Sequence, residues 1–275
     1  MSLFYALLLG IVQGLTEFIP VSSTAHLLLA QHLLRIAPDD PGIFAFNVLV
    51  QWGTLAAVIV YYWTDLWAIA RSWVDGLRRR KPFEDPESRL GWYLILATLP
   101  VLVAGYIFKP VVAWLFQAPV LEAVIRLSLT ALLLFLVERF GKRTRGMETF
   151  TWKDALWVGL AQVFAILPGA SRSGSTLFGG MARSLDRPTA ARFAFLLSAP
   201  VLFAAGVYEL FGLRYIPNLW AFIPNLLVGA LTAAVVGYFA IRWLLAFLAR
   251  RSLYAFVIYC AALSVVMLFA LWLPF

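Results

Sequence analysis

Residues 159–176 read "GLAQVFAILPGASRSGST". The first half is as apolar as a membrane helix. The last nine residues, "PGASRSGST" (168–176), hold one arginine, four hydroxyl side chains and three glycines or prolines. Proline removes a backbone donor and clustered hydroxyls compete for backbone hydrogen bonds, so the segment breaks a helix where hydropathy would continue one. Non-helical backbone at membrane depth survives only when it is buried in protein or lines a wet cavity. The stretch therefore reads as a re-entrant helical hairpin, entering and leaving on the same side. An ordinary kinked span is the competing reading.

The rest of the chain supplies the membrane setting. Its 275 residues are 63% hydrophobic and 13% charged, with a mean hydropathy of +0.86. A soluble domain is nearer half apolar and a quarter charged. Apolar runs near 43–63, 91–108, 119–138, 190–211, 221–241 and 252–273 are long enough for a hydrocarbon core of ~30 Å. A second broken segment, 3–34, is interrupted by "PVSSTAH" (20–26). The expected fold is an all-α polytopic membrane protein with six transmembrane helices and two re-entrant hairpins.

Several classes are excluded. The lone Cys260 rules out an intramolecular disulfide, and two histidines with one cysteine rule out zinc-finger sites. The net charge of +8 reads as loop bias, not as nucleic-acid binding. "MSLFYALLLGIVQGLTEF" (1–18) has no Lys or Arg before its apolar run, and Glu17 interrupts it, which argues against a cleaved signal peptide.

Charge placement gives a topology. Of 22 Lys and Arg, six fall in 71–89, five in 139–153, three in 183–192 and three in 242–251. Arg35, Lys109 and Arg214 fall in the alternate loops, and Arg126 and Arg172 lie inside apolar segments. The positive-inside rule places the four rich regions in the cytoplasm. "RRRKPFEDPESR" (78–89) reads as a solvated topogenic loop. Six spans and two hairpins satisfy every loop, with both termini outside.

An internal repeat follows. "GIVQGLTEFIPVSS" (10–23) and "GLAQVFAILPGASRS" (159–173) share G-x-x-Q, an apolar stretch, then proline and a serine-rich turn, with a one-residue slip. Three spans follow each copy, so the second unit is inverted. The expectation is a single membrane domain, 1–275, with inverted repeats at about 1–139 and 153–275. The basic cytoplasmic loop "GKRTRGMETFTWK" (141–153) joins them. Broken helices meeting near the midplane are a known plan for building sites.

The chemistry concentrates in the two breaks. The first holds Gln13, Glu17, Ser22, Ser23, Thr24 and His26; the second holds Ser171, Arg172, Ser173, Gly174, Ser175 and Thr176. Gln13 and Glu17 share a helix face. An ionisable group at membrane depth is functional by default, since its insertion costs at least ~2.5–3.5 kcal/mol. A carboxylate, hydroxyls, a histidine and an arginine on two turns suit a phosphate substrate with a divalent cation. Glu17 can hold the metal and Arg172 can clamp non-bridging oxygens. Glycine-rich turns and helix N-termini can aim N–H groups at an oxyanion. The competing reading of Glu17 with Arg172 is a plain inter-repeat ion pair, the less favoured of the two, and Ser175 and Thr176 read equally as back-bonded hydroxyls. Glu122 and Arg126 read as a local i,i+4 pair snorkelling to the outer end of a span. Gln51 reads as support for the site.

At these residues the sequence resembles a known family. "QGLTEFIPVSSTAH" (13–26) and "LPGASRSGST" (167–176) are similar to the two signature regions of bacterial undecaprenyl-diphosphatases, the bacitracin-resistance membrane phosphatases. Length, the position of both breaks and "FNVLVQWGTLAAV" (46–58) extend the likeness over essentially the whole chain. The resemblance implies that Glu17, the acid of an (E/Q)-x-x-x-E pattern, is essential. It implies Ser23 as nucleophile, His26 as acid/base and Arg172 as the phosphate-binding cation. Gln13 stands where a glutamate is often seen, and Ala25 where glycine is frequent. The implied reaction converts undecaprenyl diphosphate to the monophosphate carrier with Mg²⁺ or Ca²⁺. The implied place is the bacterial inner membrane, with a site opening to the periplasm. Ser22, Thr24, Ser171, Ser173, Gly174, Gln13 and Gln51 are the expected substrate-binding residues. No nucleic-acid partner is expected, and a homo-oligomer is left open.

Two other classes compete. A secondary transporter or flippase for a lipid phosphate fits inverted repeats and midplane polar groups equally well. The clustering of Ser23 and His26 beside Glu17 favours catalysis. The acid-phosphatase type of lipid phosphatase uses two histidines and an aspartate, and no second histidine lies near "SRSG".

Overall fold

The computed structural model describes residues 1–36, 41–108, 119–166, 170–211, 213 and 219–270. Residues 167–169 of the second break, together with Lys109 and Arg214, lie outside the described residues. Among the described residues the regular elements are all helices, apart from one isolated bridge between Arg145 and Leu185. The helices of the first half are α1 (Leu3–Thr16), α2 (Ser23–Leu33), α3 (Pro41–Leu49), α4 (Gln51–Tyr61), α5 (Trp63–Arg78), α6 (Pro86–Ile107) and α7 (Pro119–Phe140). The second half has α8 (Trp152–Gln162), α9 (Arg172–Ala182), α10 (Arg187–Leu210), α11 (Leu219–Leu248) and α12 (Tyr254–Ala270).

Five stretches are long and apolar enough to cross a membrane: Gly42–Tyr61, Pro86–Ile107, Val120–Phe140, Arg187–Leu210 and Phe222–Leu248. The sixth expected span, 252–273, corresponds to the shorter apolar helix Tyr254–Phe269; residues 271–275 lie outside the described part. Outward-facing side chains are apolar: Leu99, Val103, Leu231, Val235 and Val266 are all exposed. That is the pattern of a bundle solvated by lipid. The chain is a multi-pass membrane protein.

The structure adds one helix that hydropathy does not announce. α5 follows the first span directly, and its exposed Trp63, Trp67, Val74 and Leu77 recur at helical spacing between charged residues. Its charges keep the mean hydropathy low, so it escapes a search for apolar runs. The loop after it is correspondingly short. Asp85 accepts from the Glu87 N–H at 2.9 Å and Pro86 opens α6.

Small residues decide how closely the helices pack. A Cβ on Gly10 of α1 would lie 2.5 Å from the Gly229 carbonyl oxygen of α11. A Cβ on Gly159 of α8 would lie 2.5 Å from the Ala97 carbonyl oxygen of α6. Both contacts need glycine, and both let backbones meet without a side chain between them. α7 packs against α12, and α4 against α10.

The basic loops gather at one end. Buried Glu138 accepts from Arg143 Nη1 at 2.9 Å, from Arg187, and from the Leu253 N–H at 3.2 Å. Asp154, also buried, accepts from Arg145 Nη2 at 2.7 Å and Arg183 Nε at 2.8 Å, and it closes a capping box with Thr151. Burial pushes the Asp154 carboxyl up, but the hydrogen bonds from Arg145, Arg183 and Thr151 outweigh it and hold it well below the usual carboxylate range.

Candidate active site

Two short helices start at the same cavity. The first break is set by Ser22, which adopts a left-handed φ of 69° and accepts from the Ala25 N–H at 3.5 Å. That conformation is uncommon for a residue with a Cβ. It ends the α1 segment abruptly and starts α2 at Ser23. The second break is set by Ser171, which accepts from the Gly174 N–H at 3.2 Å and starts α9 at Arg172. The Ser171 N–H is itself taken by Thr130 Oγ1 of α7 at 2.8 Å. Both caps line one cavity of about 190 Å³, so two helix N-termini open on it. Such ends attract anions through their N–H groups and dipoles.

Glu17 links the two turns. Its Oε2 accepts from Ser23 Oγ at 2.8 Å and from Gln13 Nε2 at 2.6 Å. Its Oε1 accepts from Arg172 Nη2 at 2.7 Å. Glu17 is buried, and the Arg172 side chain is 16% exposed, open towards the cavity. One carboxylate thus holds a hydroxyl from the first hairpin and a guanidinium from the second.

A family model described as "Bacitracin resistance protein BacA" matches residues 6–266. The chain belongs to this BacA family. A protein named undecaprenyl-diphosphatase from Chlorobium phaeobacteroides (strain BS1) is 44% identical over 278 residues, covering 96% of this chain and 95% of the relative. Another of that name from Chloroherpeton thalassium is 41% identical over 278 residues, covering 98% and 96%. A third, from Anaeromyxobacter sp. (strain K), is 41% identical over 269 residues, covering 94% and 88%.

Within this BacA-family cavity the expected residues divide into three groups. Glu17, Ser22, Ser23, Thr24, Gln51, Ser171 and Arg172 line it. Gln13, Ser173 and Gly174 stand behind. Gln13 binds Glu17, Ser173 Oγ bridges to Ser171 Oγ at 2.9 Å, and Gly174 supplies an N–H to the Ser171 cap. Thr176 bonds back to the Arg172 carbonyl at 3.0 Å. Ser175 Oγ is buried without a hydrogen-bond partner among the described residues. His26 stands apart from the lining. Its Nδ1 lies 2.8 Å from the Ser22 carbonyl oxygen, which only accepts, so Nδ1 carries the proton. Its Nε2 then accepts from the Tyr259 hydroxyl at 2.7 Å, with the two rings stacked.

Two polar lining residues were not expected. Arg126 is 6% exposed and lines the cavity; its Nε donates to Glu122 Oε1 at 2.7 Å. The ion pair is the one expected, but it does not snorkel: both partners are buried, because α2, α9 and α12 pack around α7. The signal available was an ionisable pair within an apolar run. Gln162 also lines the cavity, fully buried, as the glutamine of the second G-x-x-Q. The repeat pointed to it, but no chemistry was attached.

The donor set decides how a cation would fit. Among the described residues no group of three or more His, Cys, Asp and Glu could hold a metal. Among the described residues Glu17 is the only carboxylate lining the cavity, and Gln13 Oε1 beside it is buried without a hydrogen-bond partner. One carboxylate and one amide oxygen suit a hard cation that keeps waters and shares a substrate's phosphate oxygens.

Proposed function

We propose that this chain hydrolyses undecaprenyl diphosphate to undecaprenyl phosphate and inorganic phosphate, renewing the lipid carrier of cell-wall synthesis and conferring bacitracin resistance. The observation that carries the reading is Glu17 joined to Ser23 at 2.8 Å and to Arg172 at 2.7 Å across two broken helices. A binding site for a lipid phosphate needs the arginine. It has no use for a hydroxyl hydrogen-bonded to a carboxylate, which is the arrangement of an activated nucleophile.

The diphosphate head occupies the cavity while the prenyl tail stays in lipid. Arg172 and the N-termini of α2 and α9 hold the terminal phosphoryl oxygens. Ser23 Oγ attacks the terminal phosphorus and its proton passes to Glu17 Oε2. The bond to the bridging oxygen breaks, and undecaprenyl phosphate leaves with the electron pair. Water then attacks the phosphorus of the phosphoserine, the bond to Ser23 Oγ breaks, Glu17 returns its proton to that oxygen, and inorganic phosphate leaves with the water's oxygen and protons. Arg172 neutralises charge throughout, the main demand of phosphoryl transfer. Glu17 and Gln13 Oε1 are the residues that would hold Mg²⁺ or Ca²⁺, which would neutralise further charge on the phosphate oxygens. The part assigned to His26 by resemblance passes to Glu17. His26 instead fixes the Ser22 turn, through Nδ1 on one side and Tyr259 on the other.

The finer membrane arrangement belongs to the same proposal: six spans and two re-entrant hairpins in inverted repeats. Its support is a pairing of the halves. The incoming helix of each hairpin, α1 or α8, lies on the second span of the other half, α11 or α6, through Gly10 and Gly159. The first spans of the two halves, α3–α4 and α10, pack together, as do the last, α7 and α12. The basic end lies in the cytoplasm of the inner membrane and the site opens to the periplasm.

Rapid quench with a prenyl diphosphate labelled in its terminal phosphate tests this. The purified protein in detergent is expected to release phosphate and to show transient label on Ser23. Folded protein that releases none would overturn the function, and an active enzyme without phosphoserine would overturn the role of Ser23.

A further inference from the structure

The cavity contains polar groups beyond the Glu17–Ser23–Arg172 cluster. Gln162 is fully buried in its wall, and neither Oε1 nor Nε2 has a hydrogen-bond partner among the described residues. An amide left unpaired in a buried place is costly, so it marks where something else supplies the bonds. Arg126 lines the same cavity from α7. Glu122, behind it, holds the guanidinium through Oε1, with Nε at 2.7 Å. The turn carrying Arg126 is also fixed. Thr130 Oγ1 donates to the Arg126 carbonyl at 2.6 Å and accepts from the Ser171 N–H at 2.8 Å. That tie sets Arg126 against the cap from which Arg172 projects.

A prenyl diphosphate has two phosphates, and the cluster around Arg172 accounts for one. When the bond to the terminal phosphorus breaks, the electron pair stays on the bridging oxygen, so charge grows on the phosphate that remains with the lipid. A fixed cation and an amide N–H facing that phosphate stabilise the leaving group. We propose that Arg126 and Gln162 form a second phosphate subsite, which grips the phosphate retained by the prenyl chain and makes the cavity selective for diphosphates. The proposal rests on the phosphatase reading above. A monophosphate cannot fill both subsites, so the product is bound but not cleaved.

The test follows phosphate release from farnesyl diphosphate by the full-length protein in detergent, with farnesyl monophosphate and inorganic phosphate as separate inhibitors. The double variant Glu122→Gln with Arg126→Gln removes both charges together and leaves no buried ion unpaired. Its inhibition constant for farnesyl monophosphate is expected to rise about tenfold or more, the loss of a charged hydrogen-bonding partner. Inhibition by inorganic phosphate, which fills the Arg172 subsite, and the thermal midpoint are expected to stay put. Gln162→Leu is expected to raise the same constant by less. An active double variant with unchanged monophosphate inhibition, or with both inhibitors weakened equally, overturns the subsite. If the double variant does not fold, unchanged monophosphate inhibition in Gln162→Leu overturns it instead. Folded wild-type protein that releases no phosphate removes the phosphatase reading, and the subsite with it.

Discussion

The first hairpin turns at Ser22 and the second at Ser171, and each serine caps the helix that follows. Each is preceded by a G-x-x-Q whose glycine touches the backbone of the opposite half. After the caps they diverge. The first places Ser23 at the head of its helix and carries Glu17 a turn beyond its glutamine. The second places Arg172 at the head and carries apolar Ile166 in the matching place. Two helix N-termini thus open on one cavity with different side chains at their heads. In the proposed mechanism the first hairpin supplies the acid and the nucleophile and the second supplies the cation. Neither is complete alone, and Glu17 is the bond between them.

The largest effects are expected where that division is erased. Glu17→Gln and Ser23→Ala should each lower kcat on the order of 10²–10⁴-fold, the range for losing a proton acceptor or the nucleophile it serves. The thermal midpoint of Ser23→Ala should stay within a few degrees of wild type, whereas that of Glu17→Gln should fall, because Arg172 loses its carboxylate partner. A Ser23→Ala enzyme with normal kcat would leave the first hairpin without its nucleophile.

His26 sharpens the same comparison at a smaller scale. If it positions the Ser22 turn, His26→Ala should lower kcat by roughly fivefold, the worth of one hydrogen bond of about 1 kcal/mol. Tyr259→Phe should move in the same direction, and neither should displace the pH–rate profile. A fall as deep as that of Glu17→Gln, with a lost limb in the profile, would return proton transfer to His26.

The hairpins should also fail alike when their shared feature is filled. Gly10→Ala and Gly159→Ala each drive a Cβ against a backbone oxygen, an overpacking of typically 1–3 kcal/mol. Both should lower the thermal midpoint in detergent; a drop in only one would break the equivalence of the two incoming helices.

The smallest expected difference lies at the helix starts. α8 is anchored by buried Asp154 with Arg145 and Arg183, whereas α1 is capped only by Ser2, accepting from the Tyr5 N–H at 3.3 Å. The Asp154 carboxyl titrates below its unfolded value of about 3.9, so its stabilisation is full above that value and lost as pH falls beneath it. The thermal midpoint of wild type should therefore stay level down to about pH 5 and then fall more steeply than that of Asp154→Asn.

Much of this was legible in the sequence. Proline and clustered hydroxyls break helices locally, so "PVSSTAH" and "PGASRSGST" disclosed both breaks, and hydropathy found all five long spans, though Phe222–Leu248 runs on beyond the expected 221–241. What stayed hidden depends on which way a helix faces. Arg126 sits on a span whose composition is the same whether the arginine meets lipid or cavity, and only the packing of α7 decides it. Tyr259 reaches His26 across 233 residues, a contact no local pattern encodes. α5 was missed because charges dilute its exposed apolar stripe.

The central claim is that Arg172 crosses between the halves to serve the phosphoryl group and not only to balance Glu17. Arg172→Lys keeps the charge and loses the planar fork that binds two oxygens at once. The deciding measurement is kcat of Arg172→Lys beside its thermal midpoint in detergent. The midpoint is expected near wild type with kcat reduced on the order of 10²–10³-fold, because the lost contact strengthens in the transition state. Full activity with a lowered midpoint would make the Arg172–Glu17 pair a structural clasp and contradict the account.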